Sequence, residues 1–256
     1  MVKSEVTPPS ALTDLTQELA ERGWRIQEEV QPDGTIVYTK VPLTSEEFLH
    51  PKEGYRLPNN TFHGNIIVAA KEMLNCRYTN NPAVAIFHDL LIKWDSPGLK
   101  DHCPDVCVVF GIRNKDRDRS SFVVSEEGVR PSLIIEVVSR RYRKEDREIK
   151  VIEYEQAQVQ EYIIIDRRTQ RGQAIDEVLG YRLVAFRYRP ISPDEDGRIL
   201  CETVGIWLSL QDGSLVMEDT QTGERLRTAK ELAAENQDLK AQLQALQAQL
   251  KQPSGE

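Results

Sequence analysis

The first 42 residues combine a helical repeat of apolar positions with a two-residue alternation. A helix is predicted over residues 10–21, because leucines recur on one face and Gly23 can end it. The leucines on that face are Leu12, Leu15 and Leu19. Residues 24–30 and 35–41 then alternate between apolar and polar side chains on either side of a Pro-Asp-Gly turn. We therefore predict a helix–hairpin appendage over residues 1–42.

Residues 43–218 carry the longest apolar runs and predict one α/β domain. Helices are predicted over residues 43–50, 62–78 and 145–158, and strands over residues 83–94, 105–112, 133–138 and 161–165. Between residues 62 and 166 the order is helix, three strands, helix and strand, which is typical of a compact α/β layer. Short segments over residues 172–218, punctuated by Gly and Pro, are expected to form an antiparallel β extension of this domain.

The C-terminal residues return to helical spacing after a linker at residues 219–228. Apolar residues then fall at the a and d positions of about three heptads. They are Ala229, Leu232, Leu239, Leu243, Leu246 and Leu250. Asn236 holds the remaining a position, and a single Asn at a is typical of a two-stranded parallel coiled coil. We predict a coiled-coil tail over residues 229–256 that forms a homodimer through residues 229–250. The alternative is an amphipathic helix docked on its own domain.

Composition and charge exclude several classes of protein. Of the 256 residues, 33 are Lys or Arg and 41 are Asp or Glu, which gives a net charge of −8. A protein that binds nucleic acid through overall positive charge is therefore excluded, although a locally basic groove is not. The apolar runs are far shorter than the roughly 20 residues of a membrane-spanning helix, and the N-terminus lacks a signal sequence. A cytoplasmic location is expected.

The cysteines do not indicate a disulfide scaffold or a zinc site. Cys76, Cys103, Cys107 and Cys201 include no Cys-x-x-Cys pair and are expected to be reduced thiols. A metal site at His102, Cys103 and Cys107 is not favoured, because adjacent ligands suit a tetrahedral ion poorly. A chain of this length buries roughly 75% of its unfolded surface, so its core requires neither disulfides nor a bound metal ion.

The most informative position is a carboxylate inside a predicted buried strand. Glu136 lies in the run LIIEVVS at residues 133–139. Because side chains alternate along a strand, Glu136 shares its face with Ile134 and Val138. An isolated charge in such surroundings costs several kcal/mol. Glu136 must therefore be neutralised, paired with a cation or used in chemistry.

A second acid, Asp105, opens the neighbouring predicted strand directly after Pro104. If the two strands pair, the carboxylates of Asp105 and Glu136 come close enough to require a cation between them. Mg²⁺, or Mn²⁺ in its place, prefers one or two carboxylates together with water and phosphate oxygens. Such an ion polarises a phosphodiester and helps to generate hydroxide. The two acids therefore indicate metal-dependent phosphodiester hydrolysis.

A polar stripe on the following helix adds a third element. Asp146, Lys150 and Tyr154 are spaced four residues apart and so lie on one helical face. From this face Lys150 can approach Glu136 and either orient water or stabilise charge that develops on a phosphate. The alternative is a surface ion pair between Asp146 and Lys150, worth about 0.3–0.5 kcal/mol. Helix geometry alone leaves both open.

Together these segments resemble a known family. The pattern consists of PD at 104–105, IEVVS at 135–139, the polar stripe of Asp146, Lys150 and Tyr154, and QEYIIID at 160–166. It is similar to the restriction-endonuclease family of the Uma-two type, which belongs to the PD-(D/E)XK nuclease superfamily. The resemblance covers about residues 43–218. It implies a restriction-endonuclease-like core and DNA cleavage that depends on a divalent metal.

The resemblance also implies roles for individual residues. Asp105 and Glu136 match the two metal-binding acids of the motif. Val138 stands where the motif has its lysine, and Lys150 is the candidate for a lysine that has migrated to the next helix. The residues expected to support the site are His63, Asp146 and Tyr154.

Basic residues next to the motif offer a route for DNA. Residues 140–150 hold six cations and three acids, the densest basic stretch of the chain. The residues predicted to contact phosphates are Arg140, Arg141, Arg143 and Lys144. Tyr142 is predicted to be available for stacking on a base. The alternative is that this stretch is an ordinary solvated loop and helix start.

Two classes of function follow. The first is a metal-dependent DNA endonuclease in which the tail joins two sites. The second is a catalytically inactive nuclease-fold protein that acts as a DNA- or protein-binding assembly module. The missing motif lysine and the acidic net charge favour the second, and the carboxylate inside the strand favours the first. A glycosidase with paired acids is poorly supported, because only 7% of residues are aromatic.

Overall fold

The computed structural model describes the backbone of residues 9–250 and the side chains of residues 14–245 and 247. The helices are α1 (Pro9–Arg22), α2 (Ser45–Leu49), α3 (Thr61–Arg77), α4 (Val124–Glu127), α5 (Lys150–Gln156) and α6 (Ala229–Leu250). The strands are β1 (Trp24–Val30), β2 (Ile36–Pro42), β3 (Val84–Phe87), β4 (Leu91–Lys93), β5 (Val106–Phe110), β6 (Ser121–Val123), β7 (Pro131–Val137), β8 (Glu161–Gln170), β9 (Gln173–Val184), β10 (Arg187–Pro190), β11 (Ile199–Cys201), β12 (Ile206–Gln211) and β13 (Ser214–Asp219). In the described part of the chain, no helix has both the length and the apolar content to cross a bilayer.

The predicted N-terminal helix and hairpin are present and pack on the main domain. β1 and β2 pair antiparallel along their full length. Trp24 and Arg56 exchange two backbone hydrogen bonds of 2.8 Å, which join the hairpin to the loop after α2. Gly23 permits this approach: its φ is +72°, and a Cβ atom there would lie 2.2 Å from the Arg56 carbonyl oxygen. The predicted apolar face includes Leu12, which lies outside the side chains that the structure describes.

The central sheet confirms the predicted α/β layer. Its six strands run in the order β10-β9-β8-β7-β5-β3, with β7 and β8 parallel and the other neighbours antiparallel. β5 lies beside β7, and Val106 is opposite Ile135 in the register. The residue before β5, Asp105, is therefore brought next to Glu136, as the sequence predicted.

Two boundaries predicted from the sequence are wrong. Residues 83–94 do not form one strand, because β4 leaves the central sheet and pairs in parallel with β6. The break includes Asp89, whose φ of +48° does not continue a strand. Residues 172–218 are not all short strands either, since β9 has 12 residues and extends the central sheet. β11, β12 and β13 form a separate antiparallel sheet.

The helix predicted over residues 145–158 begins with a π turn at Glu145–Ile149 and continues as α5. In this turn the Lys150 N–H bonds to the Glu145 carbonyl, five residues back. The carbonyl of Asp146 instead accepts a hydrogen bond of 2.8 Å from the hydroxyl of Tyr162. Contacts from β8 thus stabilise the wide turn, and π turns within helices are frequent at functional sites.

Each face of the central sheet covers its own apolar core. One core packs α3 and the β11–β13 sheet against the face that carries Val108, Leu133 and Ile135. The other packs α5 and the β4–β6 pair against the opposite face, which carries Ile134 and Ile164. Glu136 lies on this second face, next to apolar residues, as strand alternation predicts.

The tail forms the predicted helix, α6, but does not pack along its own domain. Its first residue, Ala229, donates a backbone hydrogen bond of 3.3 Å to Glu72 on α3. Every described side chain from residue 232 onward is exposed, including Leu239 and Leu243. The predicted heptad residues Leu246 and Leu250 have side chains outside the described set. The docked-helix alternative is therefore wrong for the described residues, and the homodimer stays a prediction.

Candidate active site

A cavity of about 530 Å³ opens where β5, β7, α3 and the π turn meet. Its lining includes His63, Asp105, Glu136, Asp146 and Lys150. Tyr154 lies behind Glu136 and donates a hydrogen bond of 2.7 Å to its Oε1 atom. All six residues singled out as catalytic, metal-binding or supporting therefore lie in one place.

Asp105 is held by backbone and by a histidine. Its Oδ2 atom accepts a hydrogen bond of 2.7 Å from the Val137 N–H and lies 3.2 Å from Nε2 of His63. His63 stands in the first turn of α3, where the Asn60 side chain accepts a bond of 3.0 Å from its N–H. Burial alone would raise the pKa of Asp105, but the nearby charges of His63 and Lys150 lower it below its usual value. The Oδ1 atom makes no hydrogen bond to a described residue.

Glu136 is buried and only half of its carboxylate is bonded. Its Oε1 atom receives the Tyr154 hydroxyl and lies 3.0 Å from Nζ of Lys150. Its Oε2 atom makes no hydrogen bond within the described part of the chain. Burial raises the pKa of Glu136 to about 8, although the charge of Lys150 opposes the shift. A cation that enters the cavity would therefore compete with a proton for this group.

Lys150 joins two buried acids. Its Nζ atom lies 3.0 Å from Glu136 and 2.9 Å from Oδ1 of Asp146. Burial alone would lower the pKa of Lys150, but the surrounding carboxylates raise it above its usual value, so the amine is charged. Asp146 is fixed from the other side by the Ser139 N–H at 3.2 Å. Since Asp146 and Lys150 are both buried, the alternative of a surface ion pair is wrong.

The cavity also has a basic mouth that sequence reasoning missed. Lys52, Arg56 and Lys93 line it, are exposed, and form no ion pair with any described residue. They come from the loop after α2 and from β4, far from the motif in sequence, so no spacing pointed to them. The whole lining carries four Lys or Arg side chains and five Asp or Glu side chains. A divalent cation would make this balance positive, which suits a phosphate ligand.

The basic residues predicted to contact DNA do not line this cavity. Arg140 and Arg143 line a second cavity next to it, whereas Arg141 and Lys144 are exposed outside both. Arg143 is already paired with Asp166 at 2.5 Å. Asp166 is distant in sequence, which is why the pair could not be predicted.

The prediction that Tyr142 stacks on a base is wrong. Tyr142 is 2% exposed, and its ring stacks on Phe48 with centroids 4.0 Å apart. Its hydroxyl donates 2.7 Å to the Leu43 carbonyl and 3.0 Å to the Arg22 carbonyl. Tyr142 instead holds the N-terminal helix and hairpin against the main domain.

A second cluster of potential metal ligands lies outside the cavity. His50, His102 and Glu153 place ligand atoms within 4.8 Å of one another. The Trp94 indole donates to Nδ1 of His102 at 2.8 Å, so Nε2 must carry the proton that bonds Glu153 at 2.8 Å. His102 therefore has no lone pair left for a metal. Its ring instead packs on Tyr154, with centroids 4.9 Å apart, and supports the site from behind.

Comparison with known proteins agrees with the resemblance drawn from the motifs. A family model described as "Uma2: Putative restriction endonuclease" matches residues 56–211, which include all six residues of the cluster. Among solved structures, the chain is similar to a putative nuclease belonging to DUF820 from Anabaena variabilis ATCC 29413. That likeness has 14% sequence identity and a TM-score of 0.40, over 69% of this chain and 82% of the other. No curated protein matches the sequence.

Proposed function

This chain belongs to the Uma2 family of putative restriction endonucleases, and from that premise we propose that it is a divalent-metal-dependent DNA endonuclease. The observation that carries the proposal is a pair of half-bonded acids at one cavity. Asp105 and Glu136 each keep one oxygen without a hydrogen bond to a described residue, beside a charged Lys150. Both residues line the cavity, so these two carboxylate oxygens are open to a ligand that enters it.

These residues fit a hard divalent cation. Oδ1 of Asp105 and Oε2 of Glu136 are carboxylate oxygens, the ligands that Mg²⁺ and Mn²⁺ prefer. The lining leaves the rest of the coordination to water and to a phosphate, as is usual for Mg²⁺. When bound, the ion would polarise the phosphodiester and lower the pKa of a bound water.

The chain's own residues orient these acids and handle charge. Lys150 and Tyr154 bind Oε1 of Glu136 and thereby leave Oε2 for the ligand. Lys150 also places a fixed positive charge at the cavity wall, where it stabilises negative charge that develops on the phosphate. His63 holds Asp105 through Nε2, and its buried Nδ1 atom has no hydrogen-bond partner among the described residues.

DNA would approach through the basic mouth of the cavity. Lys52, Arg56 and Lys93 are exposed, unpaired with described acids, and placed around the entrance. Lys and Arg side chains provide most of the phosphate contacts that position a protein on DNA. The net charge of −8 does not oppose this approach, because phosphate contacts act over about 10 Å at ordinary salt.

Cleavage of supercoiled plasmid DNA tests the function. We expect nicking or linearisation in Mg²⁺ or Mn²⁺, none in EDTA, and none for Glu136→Gln. Glu126→Gln, which changes an exposed acid on α4, is the matched control and should cleave like the wild type. Cleavage by Glu136→Gln at the wild-type rate would contradict the proposal.

The second candidate is an inactive assembly module with the same fold. It is favoured by Val138, which is buried in an apolar core where the motif has its lysine. In that case the wild type would bind DNA but leave the plasmid uncut under every metal condition. Lys150, which supplies a cation at the same acids, favours the enzyme.

Assembly through the tail is part of both candidates. The exposed leucines of α6 leave an apolar stripe without a partner in the described chain. We expect truncation after Thr228 to halve the mass measured by light scattering, because the coiled coil would be the contact between two copies. An unchanged mass would exclude α6 as the assembly element.

A further inference from the structure

The second cavity, of about 400 Å³, lies where β8 extends beyond its neighbour. Pairing of β7 with β8 ends at Val137 and Ile165. Residues 166–170 continue as a two-stranded arm with β9 alone. The loop that follows β7 runs past the edge of this arm, and the cavity lies between the two.

Arginines from both walls meet at this cavity. Arg140 and Arg143 come from the loop after β7, and Arg167 and Arg168 come from the arm of β8. The one acid in the lining, Asp166, is already paired with Arg143 at 2.5 Å and with Arg147 at 2.6 Å. The lining therefore carries four cations and one acid, and Glu177 beside it pairs with Arg147 at 2.5 Å. This surface is basic in a chain whose net charge is −8.

Two of these guanidinium groups form no ion pair with a described acid. Arg167 bonds Asp176 at 2.6 Å, so its charge is balanced. Arg140 and Arg168 are exposed and come from the two walls of the same cavity. Glu177 lies within electrostatic range of Arg168 but is itself paired with Arg147 at 2.5 Å. Exposed cations that share a cavity without an ion pair favour an anion there.

The second cavity lies next to the candidate active site at the end of β7. Val137 lines the active-site cavity and Val138, the next residue, lines the second one. A DNA strand bound in the active site extends over several nucleotides, so its neighbouring phosphates can pass the arginines at this end of β7.

We infer that this cavity, between Arg140 and Arg168, is a second binding site for the sugar–phosphate backbone of the DNA strand being cut. The inference rests on the proposed function and adds to it a binding surface for the DNA strand on one side of the scissile phosphate. Guanidinium groups bind phosphate through paired hydrogen bonds, and the hydroxyl of Thr169, also in the lining, is a further phosphate donor.

The test measures how DNA binding depends on salt. Arg140→Ala combined with Arg168→Ala should lower the slope of log K against log salt concentration by about 2, close to 1 for each lost phosphate contact. The probe is a fluorescently labelled duplex oligonucleotide, followed by anisotropy in EDTA so that it stays intact. Arg113→Ala combined with Arg189→Ala, two exposed arginines that likewise form no ion pair with a described residue, is the matched control and should leave the slope unchanged.

The outcomes separate this site from the function itself. If the wild type binds and cuts DNA but the Arg140 and Arg168 variant keeps the wild-type slope, the site is wrong and the nuclease stands. An equal loss of slope in the control pair would also refute the site, because any two arginines would then suffice. If labelled polyglutamate, and not DNA, loses affinity in the variant, the cavity takes acidic peptides. A wild type that neither binds nor cuts DNA would overturn both proposals.

Discussion

Two glutamates of the central sheet are almost fully buried, yet their surroundings differ. Glu161, at the start of β8, is 0% exposed, and Glu136, inside β7, is 2% exposed. Both lie near a cation, Arg182 in one case and Lys150 in the other. Burial and a partner of opposite charge are therefore common to both residues.

Glu161 uses both of its oxygens. Oε1 accepts from Arg182 at 2.8 Å and from the Glu202 N–H at 2.9 Å. Oε2 accepts from the N–H of Thr203 at 2.9 Å and from its hydroxyl at 2.5 Å. These bonds tie β8 to β9 and to the turn after β11. Glu161 is thus a structural acid with no capacity left for a ligand.

Donors contact only one carboxylate oxygen of Glu136, and its other oxygen makes no hydrogen bond within the described part of the chain. Glu136 also lines a cavity. A second incompletely bonded acid, Asp105, lines the same cavity. The difference shows that a buried carboxylate does not by itself indicate a functional site. What indicates one is a carboxylate whose hydrogen bonds are unfinished where a ligand can enter.

The largest expected difference is in catalysis, when Lys150 beside Glu136 is replaced in one variant and Arg182 beside Glu161 in another. Lys150→Met should lower kcat for plasmid cleavage by about 10²–10³-fold, as expected when one fixed charge next to the reacting group is lost. Arg182→Met should leave kcat within a few-fold, because Arg182 bonds Glu161, Glu202 and the Leu200 carbonyl, which all lie outside the active-site cavity. Cleavage rates at saturating Mg²⁺ check this. Equal losses in both variants would mean that Lys150 acts through stability alone.

A second comparison concerns stability without metal. Glu161→Gln should lower the free energy of unfolding by about 1.5–3 kcal/mol, since its bonds to charged and backbone donors are weakened. Glu136→Gln should be neutral or stabilising in EDTA below about pH 8, because Gln resembles the protonated carboxyl group that burial favours there. Denaturant titrations measure both. A cost of about 3–5 kcal/mol for Glu136→Gln would identify a structural ion pair with Lys150 instead.

The third comparison concerns the pH dependence of stability. The pKa of Glu136 rises from 4.5 in the unfolded chain to about 8 in the fold, so the protonated form stabilises the fold. In EDTA this stability is complete below about pH 4.5 and is lost as the pH rises towards 8. The raised pKa values of Asp146 and His63 act in the same direction, whereas the pKa of His102, lowered by burial, acts in the opposite direction below its unfolded value of 6.5. Asp105, whose pKa is lowered, acts only below its unfolded value of 3.8.

Thermal melts from pH 5 to pH 8.5 in EDTA measure this dependence. The wild type and Glu161→Gln should lose stability over this range, and Glu136→Gln should lose less. Saturating Mn²⁺ should reduce the decline, because an ion at Glu136 replaces the proton. A wild type whose stability is constant or increases over this range would contradict the unfinished hydrogen bonding of Glu136.

The sequence predicted the acids well because their signal is local. Glu136 interrupts an apolar run, and strand alternation alone assigns its face. The four-residue spacing of Asp146 and Lys150 predicted that they lie on one helical face. Their side chains do meet, although the helix begins with a π turn. The order of the apolar runs predicted that Asp105 and Glu136 lie on neighbouring strands, and the register of β5 with β7 confirms this.

The parts that failed depend on contacts distant in sequence. Tyr142 was expected to face DNA, but the N-terminal hairpin and Phe48 cover it. Lys52 reaches the cavity from the loop after α2 and Lys93 from β4, and only the folded chain sets the positions of these two segments. The completed hydrogen bonds of Glu161 come from β9 and from residues about 40 positions later in the chain. No local pattern separates that glutamate from Glu136.

Calorimetric titration with Mn²⁺ tests the central claim, that Asp105 and Glu136 form one cation site, most directly. The wild type and Glu161→Gln should bind the ion with equal affinity. Asp105→Ala and Glu136→Gln should each bind at least about 100-fold more weakly, a larger loss than that for residues that only support a metal ligand. Equal affinity of Asp105→Ala and the wild type would contradict the site.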